Sequence, residues 1–106
     1  MALQQLASNG VTFISGYGNI PVGSSAIILL KANPNRQEMR FINYSTSPDC
    51  FLGTDANVTT STGFPLFSGS EQDASRGFGS MYLGEVWAIS SGSPGNSDVR
   101  VWEICR

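Results

Sequence analysis

The sequence predicts an all-β fold: a single jelly-roll-like β-sandwich of about eight short, mostly antiparallel strands behind a short N-terminal arm. Three observations lead there. Apolar and β-branched runs are short, and Gly, Pro, Asn and Ser interrupt them at close intervals, the punctuation of a sandwich or barrel. Helical periodicity is hard to find anywhere in the chain. A length of 106 residues suits one domain with one modest core. The expected division is an arm over residues 1–10 and a sandwich over residues 11–106.

Along the chain, residues 2–8 suit one helical turn or an extended arm, ended by Asn9-Gly10. Strands are expected over residues 11–15, 24–31, 38–44, 50–53, 64–67, 80–83, 85–90 and 98–105. The connections carry turn chemistry. Residues 16–23 hold three glycines and a proline, and Gly16-Tyr17-Gly18 reads as a turn. In residues 32–36, Pro34 fixes φ while Asn33 and Asn35 cap turns. Residues 45–49 read as a hairpin connection and residues 90–97 as an exposed tip. Residues 68–79 fit either a helical turn or a surface loop.

The expected strands do not alternate cleanly between apolar and polar. In the last, one face carries Val99, Val101, Glu103 and Cys105, and the other Arg100, Trp102 and Ile104. Ser25 to Leu30 and Val86 to Ile89 show the same two-sided apolarity. A strand with one wet face alternates more sharply, so a second layer or a partner subunit is expected over part of the sheet. Most of the aromatics fall mid-strand and are expected in the core. Tyr17 and Phe64, placed in loops, are better candidates for a contact surface.

Composition narrows function by exclusion. Only 13% of residues are charged, against a usual ~25%. The net charge is -2 and the six Lys and Arg residues are scattered, so no basic cluster exists to attract phosphate. The chain has no histidine, which removes Ser–His and Cys–His nucleophile systems. Eight Asp and Glu residues are present, but their spacing selects no glycosidase-like pair. No phosphate-cradling or dinucleotide motif occurs, and no cofactor is expected. Asp49, Asp55 and Asn57 read as turn formers rather than calcium ligands.

Cys50 and Cys105 read as buried small hydrophobes, with a disulfide feasible only if their strands lie side by side. The N-terminal residues lack a cationic segment followed by an apolar one, and no run is long enough to span a bilayer. The chain is therefore expected to be made in the cytoplasm, without a membrane partner.

One stretch carries a resemblance. Phe41-Ile42-Asn43-Tyr44-Ser45, followed by residues 50–66 (Cys-Phe-Leu-Gly-Thr-Asp-Ala-Asn-Val-Thr-Thr-Ser-Thr-Gly-Phe-Pro-Leu) and by Val99-Arg100-Val101-Trp102-Glu103, resembles a recurring pattern in small virion proteins of tailed bacteriophages. In the residues themselves, Gly53 and Gly63 are expected to supply turns with positive φ, and Val58-Thr59-Thr60 an extended stretch. Pro65 suits a strand edge.

The resemblance covers about half the chain and implies an accessory virion role. It points to a capsid decoration (cement) protein on the outer surface of the head, commonly homotrimeric and bound to the major capsid protein. Head-fibre, neck and tail components use similar sandwiches. A carbohydrate-binding module is the alternative from a different class, motivated by loop aromatics and Asn/Asp-rich turns. Candidate subunit or capsid contacts are Leu3, Leu6, Tyr17, Phe64, Trp87 and Trp102.

Overall fold

The computed structural model describes residues 3–8, 11–75, 82–92 and 95–105, with side chains for residues 16–71, 82–92 and 95–105. The strands are β1 (Leu3–Ser8), β2 (Val11–Val22), β3 (Ile27–Leu30), β4 (Arg36–Asn43), β5 (Cys50–Gly53), β6 (Phe64–Leu66), β7 (Glu71–Ser75), β8 (Val86–Ser90) and β9 (Ser97–Cys105). Five form one sheet in the order β1-β2-β9-β4-β7, and four form the other in the order β3-β8-β5-β6. Every pairing is antiparallel. Setting β1 aside, the orders 2-9-4-7 and 3-8-5-6 are those of a jelly roll, two Greek keys laid face to face. The all-β jelly-roll expectation is met, with no helix among the described residues and so none that could cross a membrane.

The core lies between the sheets. The five-stranded sheet contributes Ile20, Val22, Phe41, Val99 and Val101; the other contributes Leu29, Leu30, Cys50, Leu66, Val86 and Ala88. Strand β9 shows how the sequence selects the inner face, since its odd-numbered residues are all buried while Arg100 and Trp102 are exposed. Glu103 points inward too, where Arg36 meets it, Nε donating to Oε2 at 2.7 Å. The rest of the Arg36 fork donates to the carbonyls of Lys31, Tyr82 and Gly84. A loop arginine in the sequence thus becomes a buried clamp joining β4, β9 and the approaches to β8.

Several connections differ from expectation. Residues 16–23 are not a loop: β2 runs on to Val22, with Gly16, Ile20 and Val22 buried and Tyr17, Asn19 and Pro21 exposed. The glycines tolerate the strand because β9 pairs along it, from Ser15↔Ile104 to Val22↔Ser97. Residues 71–75 form edge strand β7 rather than a helical turn or loop. Residues 45–49 are not a hairpin but the crossing from one sheet to the other. In the expected tip at 90–97, both end residues are buried: Ser90 donates to the Val22 carbonyl and Ser97 to the Pro48 carbonyl. Of the expected strand at 80–83, residues 80 and 81 lie outside the described residues, and Tyr82 and Leu83 are not in a strand.

The arm resolves in favour of the extended alternative. Residues 3–8 pair with β2, from Leu3↔Gly16 to Ser8↔Val11. Beyond Ser15 toward the chain start, β2 has β1 as its neighbour but no longer β9, so the two run on as a two-stranded ribbon.

The stretch that carried the resemblance proves to be an interlocking unit. Asn43 is fully buried; its amide donates to the carbonyls of Pro48 and Leu66, and its oxygen accepts the Ser45 N–H. One side chain thus ties the end of β4 to the crossing and to β6. Gly53 and Gly63 do not have positive φ, contrary to expectation. They are small because Val58 lies against both. A Cβ on Gly53 would fall 2.6 Å from Val58 Cβ, and one on Gly63 2.6 Å from Phe51 Cβ. Val58-Thr59-Thr60 forms no strand and leads into a turn over residues 60–62, where the Thr59 hydroxyl accepts the N–H groups of Ser61 and Thr62. The connection between β5 and β6 therefore folds back against β5.

Candidate functional site

The functional candidate is the outer face of the five-stranded sheet, and cross-strand register builds it. Residues on β2, β9 and β4 that point away from the core line up in rows. Tyr17, Trp102 and Arg40 form one row, and Asn19, Arg100 and Ile42 the next. In the third, Pro21 and Asp98 are joined by Tyr44, whose N–H donates to the Asp98 carbonyl. Between the first two rows lies an open trough of about 520 Å³.

Tyr17 and Trp102 are 49% and 45% exposed, with ring centroids 6.5 Å apart and planes within 29°. The Trp102 indole is held from the other side, Nε1 donating to Glu38 Oε1 at 3.1 Å. Arg100 forms a fork to the Asp98 carboxylate, with Nη2 to Oδ2 at 2.9 Å, and stacks 4.6 Å above the Tyr44 ring. That guanidinium holds the Asp98 carboxyl below the usual carboxylate range; partial burial opposes it, and the Asn19 side chain adds a further stabilising hydrogen bond. Arg40 and Glu71 pair at 3.7 Å along the β7 side. The face therefore combines two exposed, oriented rings with planar hydrogen-bonding groups of both charges.

The six residues singled out by sequence do not converge on one place. Tyr17 and Trp102 come together. Phe64 is exposed on β6, the far edge of the other sheet. Trp87 is half-buried on β8, its Nε1 donating to Glu85 Oε1 at 2.9 Å. Leu3 and Leu6 lie in β1, opposite Gly16 and Phe13 in register. Sequence reasoning missed Arg100, Asp98, Asn19 and Tyr44, although Asp98, Arg100 and Trp102 share the even-numbered face of one strand. It also over-assigned aromatics to the core: of the aromatic side chains described, Phe41 alone is fully buried, while Tyr44, Phe67 and Tyr82 are exposed.

The remaining polar candidates have structural posts. Asp55 caps its own turn by accepting the Asn57 N–H, while Asp49 accepts the Ser68 N–H and so ties the β4–β5 crossing to the turn after β6. No group of three metal-ligating side chains occurs among the described residues. Cys50 and Cys105 are free and buried on strands of different sheets. Burial pushes both thiols up to about 11, with the Glu103 carboxylate adding to the effect at Cys105. No family model, no curated protein and no solved structure matches this chain.

Proposed function

We propose that the chain is a non-catalytic component of a tailed-phage virion. Its station is the outer surface of the head, where it acts as a decoration protein that associates as a homotrimer and bridges copies of the major capsid protein. The observation that carries this reading is the interlock of Asn43, Gly53, Val58 and Gly63. Residues of the stretch that resembles phage virion proteins tie β4 to β6 and pack the β5–β6 connection against β5, so the likeness speaks for a shared scaffold rather than scattered turn chemistry. The jelly roll serves viral capsid and lectin domains alike and does not decide between them.

The surface supports the same reading. It is poor in charge, yet Phe64, Phe67 and Tyr82 are exposed. Phe64 and Tyr82 border a small apolar cleft of about 190 Å³ that reaches Met39 and Leu52. Aromatics are enriched and most charges depleted at the centres of protein interfaces. The paired β1–β2 ribbon offers a further edge for a neighbouring subunit.

Two measurements test the proposal together. Native mass spectrometry of the purified chain should give three times the 11.3 kDa protomer, and recombinant protein should bind saturably to purified heads that lack it. A monomer that leaves such heads bare overturns the reading.

A further inference from the structure

We infer that the outer face of the five-stranded sheet is a saccharide-binding surface, which takes a neutral oligosaccharide across Tyr17 and Trp102. A pyranose has one face of C–H groups and a rim of hydroxyls. The C–H face packs on an exposed aromatic ring, and vicinal hydroxyls need planar donors and acceptors at fixed positions beside it. Both are present. The rings of Tyr17 and Trp102 lie within 29° of parallel, and the Glu38 bond fixes the indole plane before any ligand arrives. Asn19 and Arg100 stand in the row next to the rings, with Asp98 behind Arg100, and Arg40 with Glu71 lies toward the β7 edge. Each of these planar groups can meet two hydroxyls at once.

The charge pattern selects the class of ligand. Arg100 is balanced by Asp98 and Arg40 by Glu71. With the Glu38 carboxylate also held against Trp102, the face has no unbalanced cation to gather phosphates or sulfates, whose binding relies on clustered positive charge. A neutral polyol suits it better. The size agrees as well, since about 520 Å³ falls within the ~300–1,000 Å³ of small-ligand sites. A second protein is the weaker occupant: stable interfaces cover ~800 Å² per partner and keep charges away from their centre. Here two guanidinium–carboxylate pairs flank the middle of the face.

The experiment titrates the full chain with maltotriose, cellotriose and chitotriose, alongside an array of neutral and anionic bacterial polysaccharides. Trp87 and Trp102 are the two tryptophans, so a Trp87→Phe background makes intrinsic fluorescence report on Trp102. At least one neutral glycan should shift that emission saturably. By isothermal titration calorimetry, which needs no tryptophan, Trp102→Ala and Arg100→Ala should each weaken binding at least tenfold while circular dichroism and thermal melting stay as in the parent. A blank panel overturns the inference, as does binding that survives Trp102→Ala or that prefers anionic glycans. An oligomer that falls apart on Trp102→Ala also overturns it, because the face would then be a contact between copies. None of these outcomes depends on where the protein sits on a virion.

Discussion

Replacing Arg36 by methionine is expected to be among the most damaging single substitutions in this chain. The guanidinium is fully buried and donates to the Glu103 carboxylate at 2.7 Å, to the Tyr82 and Lys31 carbonyls at 2.8 Å and to the Gly84 carbonyl at 3.1 Å. Methionine fills much of the volume but leaves Glu103, 7% exposed, as a charge facing the core with no cation. Removing one partner of a buried pair costs about 3–5 kcal/mol, a large share of the ~5–15 kcal/mol that holds a domain folded. At ~4 °C or more per kcal/mol for a chain of this size, Tm should fall by at least about 12 °C.

Thermal and urea unfolding followed by circular dichroism measure the loss, and native-state hydrogen exchange should show residues 82–84 opening first. The double variant Arg36→Met/Glu103→Leu supplies the control, since an apolar pair removes the stranded charge. It should be more stable than Arg36→Met alone. If the single change costs under ~1 kcal/mol, or if the two changes simply add, Arg36 is not the clamp the geometry makes it.

Three further expectations follow from the same structure. Gly53→Ala should destabilise by about 1–3 kcal/mol through overpacking, and by clearly less in a Val58→Gly background, where the Cβ it would meet is gone. The same loss in both backgrounds would contradict the contact. Burial raises the folded Cys50 and Cys105 thiols to about 11, above the ~8.5 of a free thiol. Their contribution to stability is therefore full below about pH 8.5 and lost as pH rises toward 11. The urea midpoint should drop over that window, and the native chain should label with a thiol reagent far more slowly than the unfolded one. Asp98 runs the other way: its folded pKa is depressed, chiefly by Arg100, so its contribution is present above the unfolded value of ~3.9 and disappears as pH falls through the folded one. Because the pair is exposed, Asp98→Asn should matter little and less still in high salt; an undiminished effect at 1 M salt would count against this assignment.

Strand β5 lies where the sequence put it, over residues 50–53, because Cys-Phe-Leu-Gly is a short apolar run with turns on both sides. Strand β9 was equally legible as a β-branched run, although which of its two faces is buried was not. The errors share one physical source: local turn chemistry read without its partner strand. Gly16, Gly18 and Pro21 are turn residues by propensity, yet β9 pairs along them and makes them strand. Polar residues 71–75 have no local reason to extend, but β4 leaves them an edge to pair with. For the binding face, Trp102 and Tyr17 were visible singly, while their meeting was not. It depends on register between segments 85 residues apart in sequence, Tyr17↔Trp102. Arg36 and Glu103 were hidden in the same way, since no local signal tells a buried arginine from a solvated one.

The position of β9 has a consequence for how the chain is made. It is the middle strand of its sheet, with β2 on one side and β4 on the other, yet the ribosome produces it after all four of its sheet-mates. Until residues 97–105 emerge, β2 and β4 each hold a bare hydrogen-bonding edge, and Arg36 waits for Glu103. Non-local closures of this kind are slow, and bare edges are where nascent β-chains stick to one another. Premature termination within β9 would therefore release two half-sheets with no seam between them, rather than a shortened but folded domain.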